Sequence, residues 1–145
     1  MASFVKYNQF VEDLASGVHQ LQTGTSHVLK IALTNTAPNV STHGVLADIT
    51  ELSTANGYTA GGESVGTITG AETAGTFKLT GGTDPVWTAT GAGFTFRYAV
   101  LYNDTPTSPA DPLIGYWDYG ASTALAAGET LTVDLDQTNG ILTIA

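Results

Sequence analysis

The sequence predicts an all-β domain: a two-sheet antiparallel sandwich, jelly-roll or Greek-key in topology, with one short N-terminal α-helix. Three observations carry that expectation. Of the 145 residues, 42% are hydrophobic and only 12% charged, with 17 glycines and many threonines, a balance that suits short strands and turns. From about residue 28 onward the apolar residues recur with period two, the spacing of a strand that buries one face. From residue 76, six strand-like runs follow one another with no helical run between them, which favours a sandwich over a parallel α/β sheet. A chain of this length is expected to form a single domain over 1–145, removing roughly 68–70% of its unfolded surface from water.

The elements follow in order. Phe4, Tyr7, Val11, Leu14, Val18 and Leu21 recur at intervals of three and four, which places them on one stripe of a helix. Ser3 is positioned to cap its start and Ser16-Gly17 to stop it in a left-handed turn, so the spacing predicts a helix over 4–16. That stripe needs a partner surface, either the protein's own sheet or a neighbouring subunit, and the sheet is preferred. After "TGTS", Leu29, Ile31 and Leu33 line one side of "VLKIALT" while Lys30 faces away, the pattern of a half-buried strand. "NTAPNVSTHG" reads as a loop, and "VLADITEL" fits either a short helix or a strand. "STANGYTAGGE" and the glycine-rich stretch to residue 76 read as turns.

Strands are then expected in "TFKLT", "PVWTAT", "GFTFRYAVLYN", "PLIGYWDYG", "TLTVDLD" and "GILTIA". Leu131, Val133 and Leu135 alternate with polar residues, and Asn139-Gly140 precedes the last apolar run, so a hairpin is predicted to close the chain. In "GFTFRYAVLYN", Phe94, Phe96, Tyr98, Val100 and Tyr102 share one strand face. Such a row is expected to fill the core, because each buried aromatic removes on the order of 150–250 Å² from water. In "IGYWDYG", Trp117 and Tyr119 take one face and Tyr116 and Asp118 the other, so one pair should look outward or into a subunit contact. Tyr116, Trp117 and Tyr119, with Phe4 and Tyr7 from the N-terminal stripe, are therefore the candidate interface or binding surface.

The chemistry-bearing patterns are mostly absent. There is no cysteine, which excludes thiolate zinc sites, disulfides and cysteine nucleophiles. Thirteen acidic residues against four basic ones give a formal charge of −9, which repels phosphate backbones and anionic headgroups and argues against nucleic-acid and membrane partners. The N-terminal stretch lacks the unbroken apolar run of a signal peptide, and no segment reaches about 18 apolar residues. The chain is thus expected to be made and kept soluble.

"DLDQTNG" suggests a calcium loop, but counting from Asp134 puts Asn139 where that loop requires glycine and Ala145 where it requires glutamate. His19, His27 and His43 lack ligand spacing, no G-x-S-x-G elbow occurs, and the glycine-rich stretch has no G-K-[ST] ending. Asp104, Asp111 and Asp118 are numerous enough for a glycosidase acid pair, yet "NDTPTSPADP" is ordinary turn chemistry. No enzyme activity, metal or cofactor is expected.

The phrases "TSHVLKIALTNTAPN", "NGYTAGG", "FRYAVLYNDT", "PLIGYWDYG" and "AGETLTVDLDQTNGILTIA", in that order, together with Tyr7, Phe10, Val11, Asp13, Leu14, Gly17, Val18 and His19 in the leading segment, resemble a family of small virion structural proteins of tailed bacteriophages and prophages. The likeness spans nearly the whole chain and lies at framework positions, so it implies a fold and a virion association and transfers no catalytic residue. It implies manufacture in the host cytoplasm and assembly into the virion, against the major capsid protein or other virion proteins, as a homo-oligomer (trimer or dimer). Among such roles, a capsid decoration or cement protein suits a stable, acidic sandwich that avoids packaged DNA. The alternative is a tail-associated or carbohydrate-binding module that stacks sugar rings on Tyr116, Trp117 and Tyr119.

Overall fold

The computed structural model describes residues 3–145. In chain order they form β1 (Phe4–Lys6), α1 (Asn8–Ala15), β2 (Leu29–Thr34), a 3₁₀ turn (Leu46–Asp48), β3 (Glu63–Ser64), β4 (Thr69–Thr73) and β5 (Thr76–Thr80). There follow β6 (Val86–Thr88), β7 (Phe94–Asn103), β8 (Leu113–Leu125), β9 (Thr130–Thr132) and β10 (Leu142–Ile144). Every ladder is antiparallel. The fold is an all-β sandwich with a short N-terminal helix. One layer is a five-stranded sheet in the order β1-β8-β7-β2-β3; the strands opposite form a three-stranded sheet, β10-β5-β4, and a two-stranded ribbon, β6-β9. One apolar cluster joins them, with Ile31, Leu33, Leu101 and Trp117 from the large sheet and Leu79, Trp87, Leu131 and Leu142 from the smaller ones. Each such side chain contributes about 1.5–3 kcal/mol by leaving water.

Two features of the large sheet depart from simple alternation. From Tyr98 to Asn103 every residue of β7 is buried, as is most of β2, so this sheet is covered on both faces. Tyr7, at the entrance to α1, covers one face by packing its ring 5.6 Å from that of Tyr116. The expected single row from Phe94 to Tyr102 is also interrupted, because the β7–β8 register shifts between Phe96 and Tyr98 and again between Leu101 and Tyr102. At the first of these shifts, residues 119–122 of β8 bulge out opposite the single residue Arg97.

The N-terminal helix is shorter than the spacing predicts. Residues 4–6 pair with β8, Phe4 opposite Trp117 and Lys6 opposite Gly115, because an open sheet edge satisfies their backbone groups. The helix starts after Tyr7, which is extended and offers no side-chain cap. Its end matches expectation: Val18 N–H donates to Asp13 O (2.8 Å) and Gly17 N–H to Leu14 O (3.2 Å), with Gly17 at φ 77°, a Schellman closure. The buried stripe is Tyr7, Phe10 and Asp13, whereas Val11 is 52% exposed.

The C-terminal hairpin does not form. β9 pairs with β6, and β10 pairs with β5. The Asn139-Gly140 turn exists, with Gly140 at φ 91° and Asp136 accepting the N–H groups of Thr138 and Asn139 (2.9 and 2.7 Å), but it carries the chain from one sheet to another. The glycine-rich stretch, expected as turns, contains β3 and β4. Ala74 and Gly75 both have positive φ, the geometry of a type I′ hairpin turn joining β4 to β5.

The long loop after the 3₁₀ turn is tied to the sheet by a buried tyrosine. The Tyr58 hydroxyl accepts from Leu33 N–H (3.0 Å) and donates to Glu51 Oε1 (2.6 Å), which also accepts from Gly61 N–H (2.6 Å). Burial, reinforced by the Glu51 bond, pushes the Tyr58 phenol well above its ordinary pKa.

Candidate functional site

The five residues singled out from the sequence fall at one corner of the large sheet, but they do not form a common exposed surface. Tyr7 is fully buried and Trp117 is 6% exposed. The Phe4 ring lies 5.0 Å from Trp117 at an interplanar angle of 58°, and Tyr116, half-buried, meets Tyr98 at 6.1 Å and 72°. Gly115 makes this possible, since a Cβ there would collide with the Phe4 ring and the Val5 carbonyl. Burial raises the Tyr7 phenol far above its usual range, consistent with a core role. Tilted rings packed on one another present no coplanar platform for a sugar.

Tyr119 is the exception, at 38% exposed. It stands at the start of the β8 bulge, its ring 5.0 Å from Phe96 at 73°. The bulge is braced by Asp118, whose Oδ1 accepts from Arg97 Nε (2.9 Å) and Gly120 N–H (2.8 Å) while Oδ2 accepts from Arg97 Nη2 (3.0 Å). The Arg97 bonds and then the Gly120 bond hold this carboxyl below the usual range. The guanidinium lies 5.0 Å from the Tyr98 ring centroid, a cation–π contact. A groove of about 610 Å³ runs beside it, between residues 117–120 and 132–134.

A second groove, of about 600 Å³, separates β1 and α1 from β10. Phe10, Leu14, Leu142 and Ile144 line it, with Val11 exposed on its margin. It is flanked by β1 and β10, each the outermost strand of its own sheet. Free strand edges with an apolar floor between them can accept an extended segment. Sequence reading missed this feature. The signal for it was the adjacent pair Phe10-Val11, which widens the helix's apolar arc beyond what one covering sheet hides.

Apart from His19 and His27, which meet at the Asn103 amide with Asp13 close by, the acidic and imidazole groups do not converge. Asp104 pairs with Lys30 (2.8 Å), Asp118 with Arg97, and Asp111 has its carboxyl raised by burial. Asp48 caps the 3₁₀ turn by accepting from Gly44 and Val45 N–H (2.8 and 3.1 Å). His43 Nδ1 accepts from Asn39 N–H (3.2 Å). Among the described residues, no group of three or more His, Asp or Glu side chains is placed to hold a metal ion, and no helix is long and apolar enough to cross a membrane.

Compared with known proteins, the chain matches no protein family, no curated protein and no solved structure.

Proposed function

We propose that this protein is a virion structural protein of a tailed phage, a capsid decoration protein that binds the assembled head and stabilises it. The observation that carries this reading is the apolar groove between β1, α1 and β10, open at two strand edges and bordered by exposed Val11. An extended segment of the major capsid protein, or of another virion protein, would lie in it as an added strand with alternate side chains on the apolar floor. A ligand that binds only the assembled shell raises that shell's stability by mass action. The sequence resemblance to phage virion proteins supports the same role. Self-association as a trimer or dimer would place several grooves around a symmetry axis of the particle.

The test is co-sedimentation with phage heads stripped of accessory proteins, combined with the melting temperature of the heads. The wild-type protein is expected to sediment with the heads and raise their Tm. Val11→Asp is expected to leave the protein's own melting unchanged, because Val11 is exposed, and to abolish binding. Failure of the wild-type protein to bind heads would overturn the proposal.

Tyr119 favours a second reading, a tail-associated or carbohydrate-binding module, because its ring borders an open groove. Retention on a glycan array that is lost in Tyr119→Ala, with no binding to heads, would select that reading.

A further inference from the structure

The linker between α1 and β2 has no regular structure over 18–28. Thr23 ties its middle to Gly70 of β4 through three hydrogen bonds (3.1–3.2 Å) and Leu21 is buried in the core, while His19 and His27 tie its two ends to the far end of β7. Asn103 closes β7 and is fully buried. Its amide nitrogen lies 3.2 Å from His19 Nδ1 and 2.8 Å from His27 Nδ1. An amide NH₂ has two hydrogens, and here each meets an imidazole nitrogen. The neighbours fix the direction of these bonds. Gln20 N–H also donates to His27 Nδ1 (3.3 Å), and Asn103 Oδ1 accepts from Thr105 N–H (3.3 Å). Both Nδ1 atoms are therefore acceptors, and the ring proton of His19 sits on Nε2, which is buried without a partner.

The charged surroundings are few. From α1, the buried Asp13 carboxylate faces His19; its Oδ1 accepts from Gln9 Nε2 (3.1 Å) and its Oδ2 has no partner. From the linker comes His27, and beyond Asn103 stands Asp104, neutralised by Lys30 of β2. The Phe10 ring covers His19 at 5.2 Å.

We propose that His19, Asn103 and His27 form an acid-operated latch, in which a proton on His19 Nδ1 sets N–H against N–H, breaks the Asn103 bond and loosens residues 18–20 from the end of β7, while Thr23 stays bonded to β4 and Val28 to residues 104–105. Burial holds the His19 imidazole down at about 4, against the opposing pull of Asp13 and with a smaller push from His27. The released imidazole returns to its ordinary value of about 6.5. The latched state thus binds fewer protons than the open one between these values. Opening becomes more favourable as pH falls through that window, by up to about tenfold per pH unit. The device is independent of what the groove binds.

The full-length protein tests this by NMR, with imidazole titration and amide-exchange protection factors followed from about pH 8 to about pH 4.5. Expected are a His19 ring in the Nε2–H form above pH 7, a His19 midpoint well below 6.5, and protection over 18–20 that falls with pH while Thr23, β2 and β7 stay protected. His19→Gln, which offers a non-titrating acceptor to Asn103, is expected to flatten that dependence. A His19 midpoint near 6.5, protection over 18–20 that is constant to about pH 5, or wild-type pH dependence in His19→Gln would each overturn the latch. If His19→Gln does not fold, the wild-type titration and exchange data decide alone.

Discussion

Tyr58 illustrates how much one side chain can hold in this fold. Its hydroxyl bridges Leu33 N–H in the centre of the large sheet and Glu51 in the loop above, so a single oxygen satisfies a backbone donor and orients a carboxylate. Tyr58→Phe keeps the ring contacts with Trp87 and Phe94 but leaves Leu33 N–H without its partner. The expected cost is about 1–3 kcal/mol, the penalty for an orphaned buried polar group, read as a lower midpoint in urea with an unchanged slope. Gly115 works in the opposite sense. There the lack of a side chain lets Phe4 lie across β8 and shield Trp117, and so turns two of the residues expected at an interface into packing.

At the scale of elements, β10 closes the three-stranded sheet and forms one wall of the apolar groove. Deleting residues 140–145 would remove the buried Ile141 and Leu142 and free the edge of β5. The expected result is a lower Tm and increased aggregation, checked by calorimetry and light scattering; a truncated protein that melts like the wild type would refute the assigned pairing. Most strands were legible from the sequence because β2, β5, β6, β7, β8 and β10 each carry their own apolar alternation. What the alternation could not supply was the partner. β9 and β10 have ideal hairpin spacing, yet each gains more by completing a different sheet, a choice made by residues more than forty positions away. β1 was hidden because its apolar residues also fit a helical stripe, and only the free edge of β8 decides between them. β4 was hidden among glycines and threonines whose strand character depends on β5. The candidate site was legible as a set of aromatic residues, but their exposure was not, since the register shifts that bury Trp117 and expose Tyr119 arise from the pairing of β7 with β8.

For the whole molecule, the balance of forces predicts how docking responds to solvent. The chain carries a formal charge of −9, so a contact made through that charge would weaken as salt screens it. The groove is apolar, and binding through it is expected to persist at about 1 M salt, where screening acts beyond about 3 Å. Co-sedimentation with heads at low and high salt checks this; loss of binding at high salt would place the contact on the acidic surface instead. The same groove has a geometric corollary. Phe4 and Ala145 both line it, so the two ends of the described chain approach one another across a single cleft. A short peptide could splice them, and new ends could be cut in the exposed Ala126–Gly128 turn, giving a circular permutant that preserves every strand ladder. By the same token, a tag fused at Ala145 would emerge at the mouth of the cleft.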